Sequence, residues 1–362
     1  MFRRHPRVGH RSLLAGVLAT GLVAAGCASS TGSGASPATG SGPATNAGSG
    51  TTLTLYNAQH EQTTAALIAA FTAQTGITVQ VDNDDEDVLT AQIEQEGSRS
   101  PADVFYTENS NWLAQLDEQH LLAKVDASTL ANVPAGDSAA SGDWVGVSAR
   151  VSVLVYNTDK LSAADLPTSV LQLADPAWKG RIEIAPSEAD FWPVVSSVAK
   201  VDGPTATIVW LKGLAANAGA NDNVPDNETI TSDVNSGVSE LGLINQYYFH
   251  RLQDEVGPSG VHAAIATFAP RDPGYVEGIS GAAILKSSTH QAAAQAFLAF
   301  LTSQAGQTAL AASDSYEYPI HPGVAASPTD TPLDQLEPIP FTPADLGTGL
   351  DAKTLLQEAG LL

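Results

Sequence analysis

The chain has 362 residues, is 43 % hydrophobic and is long enough for two domains of ordinary size, a composition that argues against disorder as its default. Its formal net charge of -23 becomes more negative still if the first segment, with Arg3, Arg4, Arg7 and Arg11, is removed, which speaks against nucleic acid as a partner. A single cysteine, Cys27, leaves no material for a disulfide framework or a thiolate metal site.

Residues 1–26 read as an export signal, with an Arg-rich start, an apolar stretch from Leu13 to Ala25 and a small residue before Cys27. The apolar stretch is too short to span a membrane. Ala24-Ala25-Gly26-Cys27 resembles a bacterial lipobox, in which cleavage precedes the cysteine and its thiol is acylated; Ala24 stands where that pattern prefers leucine. Residues 27–52, dominated by Ser, Thr, Gly, Ala, Asn and Pro, have the composition of a flexible tether.

Folded sequence is expected from Leu53, with a strand to Asn57, then Gln59-His60-Glu61 and a helix presenting Leu67, Ile68 and Phe71 on one face. His60 thus falls where a strand gives way to a helix, the place where open α/β sheets bind ligands, although polar residues at helix starts also serve as caps. A strand over Ile77–Val81 leads into the acidic run Asp82–Asp87 and a helix over Leu89–Glu96. That run lacks the glycine and the terminal glutamate of a calcium loop and reads as a solvated connection. A second strand, Ser100–Ser110, breaks at Glu108 ahead of a helix over Asn111–Leu116, repeating the geometry proposed for His60.

Trp144–Asn157 alternates and then runs apolar, long enough to cross between lobes. Ile182–Ala185 is a strand that opens into Pro186-Ser187-Glu188-Ala189-Asp190-Phe191 and a helix, an arrangement suited to an anion. Helices over Thr205–Leu214 and Thr229–Ser236 precede the apolar run from Gly242, which ends in Asn245 and the doublet Tyr247-Tyr248. Neighbouring strand residues face opposite sides, so both phenols reach one point only if the strand has ended and the chain turns, a role that suits Asn245. A free phenol titrates near about 10, so two phenolates at neutral pH need a strongly acidic partner such as Fe(III). By itself a tyrosine pair is more commonly buried aromatic surface. A strand over Ala263–Phe268, a returning strand over Val276–Leu285, an amphipathic helix over His290–Thr302, a Pro-rich tail and a final helix near Ala352–Leu356 complete the chain. The sequence contains no Gly-rich phosphate loop and no nucleophile-elbow pattern.

Five motifs in order carry a family resemblance: Tyr56-Asn57-Ala58-Gln59-His60-Glu61; Ser100 to Phe105 with Thr107-Glu108-Asn109; Leu173 to Gly180; Asn245 with Tyr247-Tyr248; and Ile279-Ser280-Gly281. With them the chain resembles the ferric-ion-binding proteins that deliver iron to bacterial ABC importers, members of the two-lobed solute-binding fold. The resemblance implies an α/β, two-lobed periplasmic-binding-protein-like fold with a hinge of crossing strands: an N-lobe of 53–150 plus 278–325 and a C-lobe of 151–277 plus 326–362. It implies metal ligands at His60, Glu108, Tyr247 and Tyr248, a hard donor set suited to Fe(III). It also implies a synergistic phosphate or carbonate at Asn109, Ser187, Glu188, Ala189, Asn227 and Asn245. Glu188 stands where the family usually has glycine, and it is expected to point outward, leaving backbone amides and the Ser187 hydroxyl to the anion. The implied protein is not an enzyme but a monomer outside the cytoplasm, on the membrane only through its lipid anchor, that passes iron to an ABC importer permease. A binder of an organic or phosphorylated solute on the same fold, and a secreted metal-dependent hydrolase, are the alternatives.

Overall fold

In a computed structural model the described residues are 50–219 and 224–362. The expected signal segment, Cys27 and the tether up to residue 49 lie outside them.

Two strand-helix units come first. β1 (Thr52–Ala58) carries β-branched and apolar residues whose inward side chains are fully buried, and α1 (Glu61–Thr75) follows directly after His60. Gly76 ends that helix at φ 73°, a left-handed conformation that glycine adopts without steric cost. β2 (Thr78–Asn83) runs parallel to β1, then come α2 (Glu86–Glu96), β3 (Val104–Thr107), which pairs in parallel with the other edge of β1, and α3 (Ser110–Glu118). Because β1 and β3 are parallel neighbours with Ala58 opposite Thr107, their carboxyl ends lie side by side. His60 and Glu108, just beyond those ends, are therefore brought to one edge of the sheet.

After the short helix α4 (Ala127–Leu130), β4 (Val145–Asn157) runs for 13 residues, all buried except the half-buried Tyr156. It is the element that joins two sheets. β5 (Ile182–Glu183), α5 (Trp192–Asp202), α6 (Pro204–Ala218), α7 (Asn227–Ser236), β6 (Leu241–Asn245), α8 (Gln246–Val256) and β7 (Ala263–Ala266) form one side. The chain then returns through β8 (Glu277–Ile284), α9 (Gln291–Thr302), α10 (Gln304–Ala311) and β9 (Tyr318–Pro319). Val145–Val151 of β4 pair antiparallel with β8, which also pairs with β3, while Ser152–Tyr156 pair antiparallel with β6. The strand order is β2-β1-β3-β8-β4-β6-β5, with β7 and β9 also on β4. Strand β4 thus passes from one sheet to the other near residues 151 and 152, and Arg150 sits beside that passage.

Each side has its own packing. On the first, Phe71 of α1 meets Phe297 and Phe300 of α9 with ring centroids 4.9 and 5.6 Å apart. On the second, the tail ends in α11 (Pro343–Leu346) and α12 (Leu350–Ala359), the latter packed on α5 and α6 through Ala352, Leu355 and Leu356.

Local expectations failed where tertiary packing overrides sequence signals. The acidic run is solvated as expected apart from the half-buried Glu86, but it is not a loop throughout: β2 continues to Asn83 and α2 starts at Glu86, leaving two connecting residues. Ser100–Asp103 are not strand, since the Asp103 carboxylate accepts from Thr54 N–H at 2.9 Å and holds that segment as a connection into β3. The strand expected over Ile182–Ala185 is two residues long, and a 3-10 turn over Ala189–Phe191 intervenes before α5.

Candidate metal centre

The tyrosine doublet lies at the start of α8, not in a turn, because Asn245 ends β6 with extended backbone and the helix begins at Gln246. Consecutive helical residues diverge less than consecutive strand residues, and the two rings lie side by side with centroids 4.2 Å apart. Tyr247 is completely buried and Tyr248 is 3 % exposed. The Arg251 guanidinium, one turn on from Tyr247, covers its ring at 4.8 Å.

All four expected metal ligands come together. His60 Nε2 lies 3.4 Å from the Tyr247 hydroxyl and 3.6 Å from Glu108 Oε1, and the Tyr247 hydroxyl donates to Glu108 Oε1. The His60 ring is edge-on to both tyrosines, at 5.5 and 6.0 Å. Among the described residues no three His, Cys, Asp or Glu side chains are grouped as a metal site, so this donor set depends on its phenols.

The expected anion positions behave differently. Ser187, Glu188 and Ala189 line a cleft of about 950 Å³ together with His60, Glu108, Asn109 and Tyr248. Asn227 and Asn245 are buried next to Asp190, which itself also lines the cleft. Glu188 does not point outward: its Oε1 lies 3.4 Å from the Tyr248 hydroxyl and its Oε2 is buried without a partner. A 3-10 turn follows it directly, and its side chain lines the cleft.

Three residues missed in the sequence support the centre. Asp190 accepts from the Tyr248 hydroxyl at 3.0 Å, and the Tyr247 hydroxyl lies 3.4 Å from the same oxygen. Arg150, fully buried, donates to the Glu108 carbonyl and the Asn109 amide oxygen and lies 3.6 Å from Asp190. Glu86 accepts from Asn109 N–H at 2.6 Å and Trp112 Nε1–H at 3.0 Å, fixing the segment after β3. Arg150 had a signal, being the one charged residue in β4. Gly278, its neighbour on β8, makes room for it: a Cβ there would stand 2.9 Å from Arg150 Nε.

Burial sets the protonation of the group. It would raise the Glu108 carboxyl, but the charge and hydrogen bond of His60, then Arg150 and Tyr247, pull it down to about 2. Burial would lower His60, but Glu108 holds it above its ordinary value. Both phenols are pushed well up, by burial first and then by the charges of Asp190 and Glu108. Burial and then Glu108 raise Glu86 to about 8, and burial with Asp190 and Glu108 pushes Glu188 well up. The phenols therefore stay protonated at neutral pH unless a strong Lewis acid displaces their protons.

The model of the bacterial extracellular solute-binding protein family matches residues 57–308. The chain is 40 % identical over 310 residues to the Fe(3+)-binding periplasmic protein of Serratia marcescens, covering 86 % of this chain and 90 % of that one. The chain belongs to the iron-binding solute-binding proteins. Another member of this family, the major ferric iron-binding protein of Neisseria meningitidis serogroup B, is 40 % identical over 312 residues, 85 % of this chain and 93 % of its own. The solved structure of iron-bound HitA from Pseudomonas aeruginosa superposes with a TM-score of 0.81 at 40 % identity, over 86 % of this chain and 99 % of that one. The fold is thus the two-lobed one of these binding proteins, and as a family member the chain is a binding protein and not an enzyme. Among the described residues no helix is long and apolar enough to cross a membrane.

Proposed function

We propose that the chain captures Fe(III) in the cleft between two lobes, 53–150 plus 278–325 and 151–277 plus 326–362, through His60, Glu108, Tyr247 and Tyr248. The observation that carries this reading is the meeting of Tyr247 with both His60 and Glu108, side chains that follow strands on opposite sides of β4 in the sheet order. Two phenolates, a carboxylate and an imidazole are hard donors that suit a trivalent ion better than Zn(II) or Cu(I). Four protein ligands leave two positions of an octahedral shell to oxygen donors, for which the family resemblance offers a phosphate or carbonate among Asn109, Ser187, Ala189, Asn227 and Asn245. With His60 and Glu108 on one side of the passage at residues 151 and 152 and the tyrosines on the other, rotation about β4 would open and close the site. The loaded protein hands its iron to an ABC importer permease outside the cytoplasm, as a monomer held to the membrane by an acylated Cys27.

Fe(III) should turn the protein visibly coloured, since phenolate-to-iron charge transfer requires tyrosine in the coordination shell. Tyr247→Phe and Tyr248→Phe should each weaken binding and shift or abolish the band. Wild-type protein that stays colourless with Fe(III)-nitrilotriacetate at neutral pH would refute the assignment.

A further inference from the structure

The ferric reading gives no part to Glu317, a carboxylate only 2 % exposed that stands just before β9. Its oxygens accept from the Ser148 hydroxyl of β4, from the Ser280 hydroxyl of β8 at 3.2 Å and from Gln59 Nε2 at 3.3 Å. Burying a carboxylate is costly unless donors surround it. Here the donors come from the two long antiparallel neighbours β4 and β8 and from the residue that precedes His60.

The path from Glu317 to His60 is one side chain long. His60 is the N-cap residue of α1, yet its side chain makes no cap bond, and the polar contacts of its ring are with Tyr247 and Glu108. The backbone is what fixes it. Its N–H donates to Gln59 Oε1 at 2.7 Å, while Gln59 Nε2 reaches Glu317 and, at 2.9 Å, Ser280 Oγ. Ser280 Oγ also accepts from Arg150 Nη1 at 3.1 Å, so the cluster adjoins the cation that donates to the Glu108 carbonyl.

The chain just before Glu317 is fastened to the helix of the tyrosines. Arg251, whose guanidinium covers the Tyr247 ring, donates through Nε to the Asp314 carbonyl at 3.3 Å. Gln246 Nε2 donates to the Tyr316 carbonyl at 3.0 Å, and the Tyr316 hydroxyl donates to Asp254. Tyr316 adopts φ 54°, a left-handed backbone that a bulky residue keeps only where its surroundings hold it. Residues 314–317 thus touch α8 on one side and the support of His60 on the other.

We propose that Glu317 is a positioning residue for iron capture, anchored on α8 by residues 314–316 and acting through Gln59 to fix His60 for coordination. This rests on the ferric reading.

The test is a double-mutant cycle on iron retention. Wild type, Glu317→Gln, His60→Ala and the double variant are loaded from Fe(III)-nitrilotriacetate, and loss of iron to citrate is followed through the visible band. Glu317→Gln should lose iron about tenfold faster, the scale on which groups that orient a metal ligand act, with the band retained because both tyrosines still coordinate. In the His60→Ala background the same change should alter the loss by less than about twofold, because the ligand it acts through is gone. Gln59→Leu, which cuts the link but leaves Glu317 its two serines, should reproduce both results, and it decides the matter if melting of the iron-free proteins shows that Glu317→Gln fails to fold. A Glu317→Gln protein that holds iron like wild type overturns the proposal and leaves the ferric reading intact. So does one that speeds the loss about equally in both backgrounds, as a general loosening of the fold would. A wild type that stays colourless, or a His60→Ala variant that holds iron like wild type, refutes the ferric assignment and with it the part given to Glu317.

Discussion

Lowering the pH is the perturbation whose effect on iron binding follows most directly from the structure. Tyr247 and Tyr248 are both raised well above the usual phenol value, by burial and then by the charges of Asp190 and Glu108, so in the iron-free protein both carry protons at any pH near neutrality. Glu108, at about 2, is ionised throughout and contributes none. Binding Fe(III) through two phenolates therefore releases about two protons, and each unit of pH lowers the affinity by about a hundredfold, or about 2.7 kcal/mol. His60 sharpens the effect: its value is raised by Glu108, it must be neutral to bind metal, and as pH falls through that raised value a third proton enters the balance. The sign is fixed, with affinity lost as pH falls. Chelator competition at several pH values, corrected for the chelator's own protons, gives the slope, and a pH-stat during loading gives the proton count directly. Release of fewer than about one proton per iron near pH 8, or an affinity indifferent to pH, would refute the participation of two protonated phenols.

Gly278→Ala should lower thermal stability by about 1–3 kcal/mol and weaken the iron band as well, because the new methyl would stand 2.9 Å from Nε of a fully buried Arg150 that cannot swing into solvent; melting and iron titration read the two effects. Arg150→Met should be more damaging, about 3–5 kcal/mol in melting experiments, since it strands Asp190 without its cation. Cys27→Ser should move the protein from the membrane fraction to the soluble extracytoplasmic fraction with iron binding unchanged, as fractionation and iron titration would show.

Much of the scaffold was legible because it is local. The strands that became β1, β4, β6 and β8 are apolar runs bounded by turn residues, and His60 and Glu108 could be located at strand ends before any pairing was known. The four side chains now in contact were singled out by motif order, since spacing cannot reveal that residues 60 and 247 meet. What sequence could not disclose depends on distant partners. The turn after Ala185 offers two acidic residues, and only the tertiary structure shows that both line the cleft, with Asp190 within reach of both phenols and Glu188 near Tyr248 alone. Arg150 was visible as the lone charge of a long strand, but its partners Glu108, Asn109 and Asp190 come from two other segments. Within the acidic run 82–87, which is otherwise exposed, the role of Glu86 was hidden because it binds backbone and side chains that follow β3, a contact absent from local sequence.

Anomalous diffraction at the iron edge, from crystals of protein loaded with Fe(III), tests the central claim most directly. The account predicts one strong peak per chain, about 2.0–2.3 Å from His60 Nε2, a Glu108 oxygen and the hydroxyl oxygens of Tyr247 and Tyr248. Iron found elsewhere on the chain, or bound in the cleft with either tyrosine outside coordination distance, would contradict it.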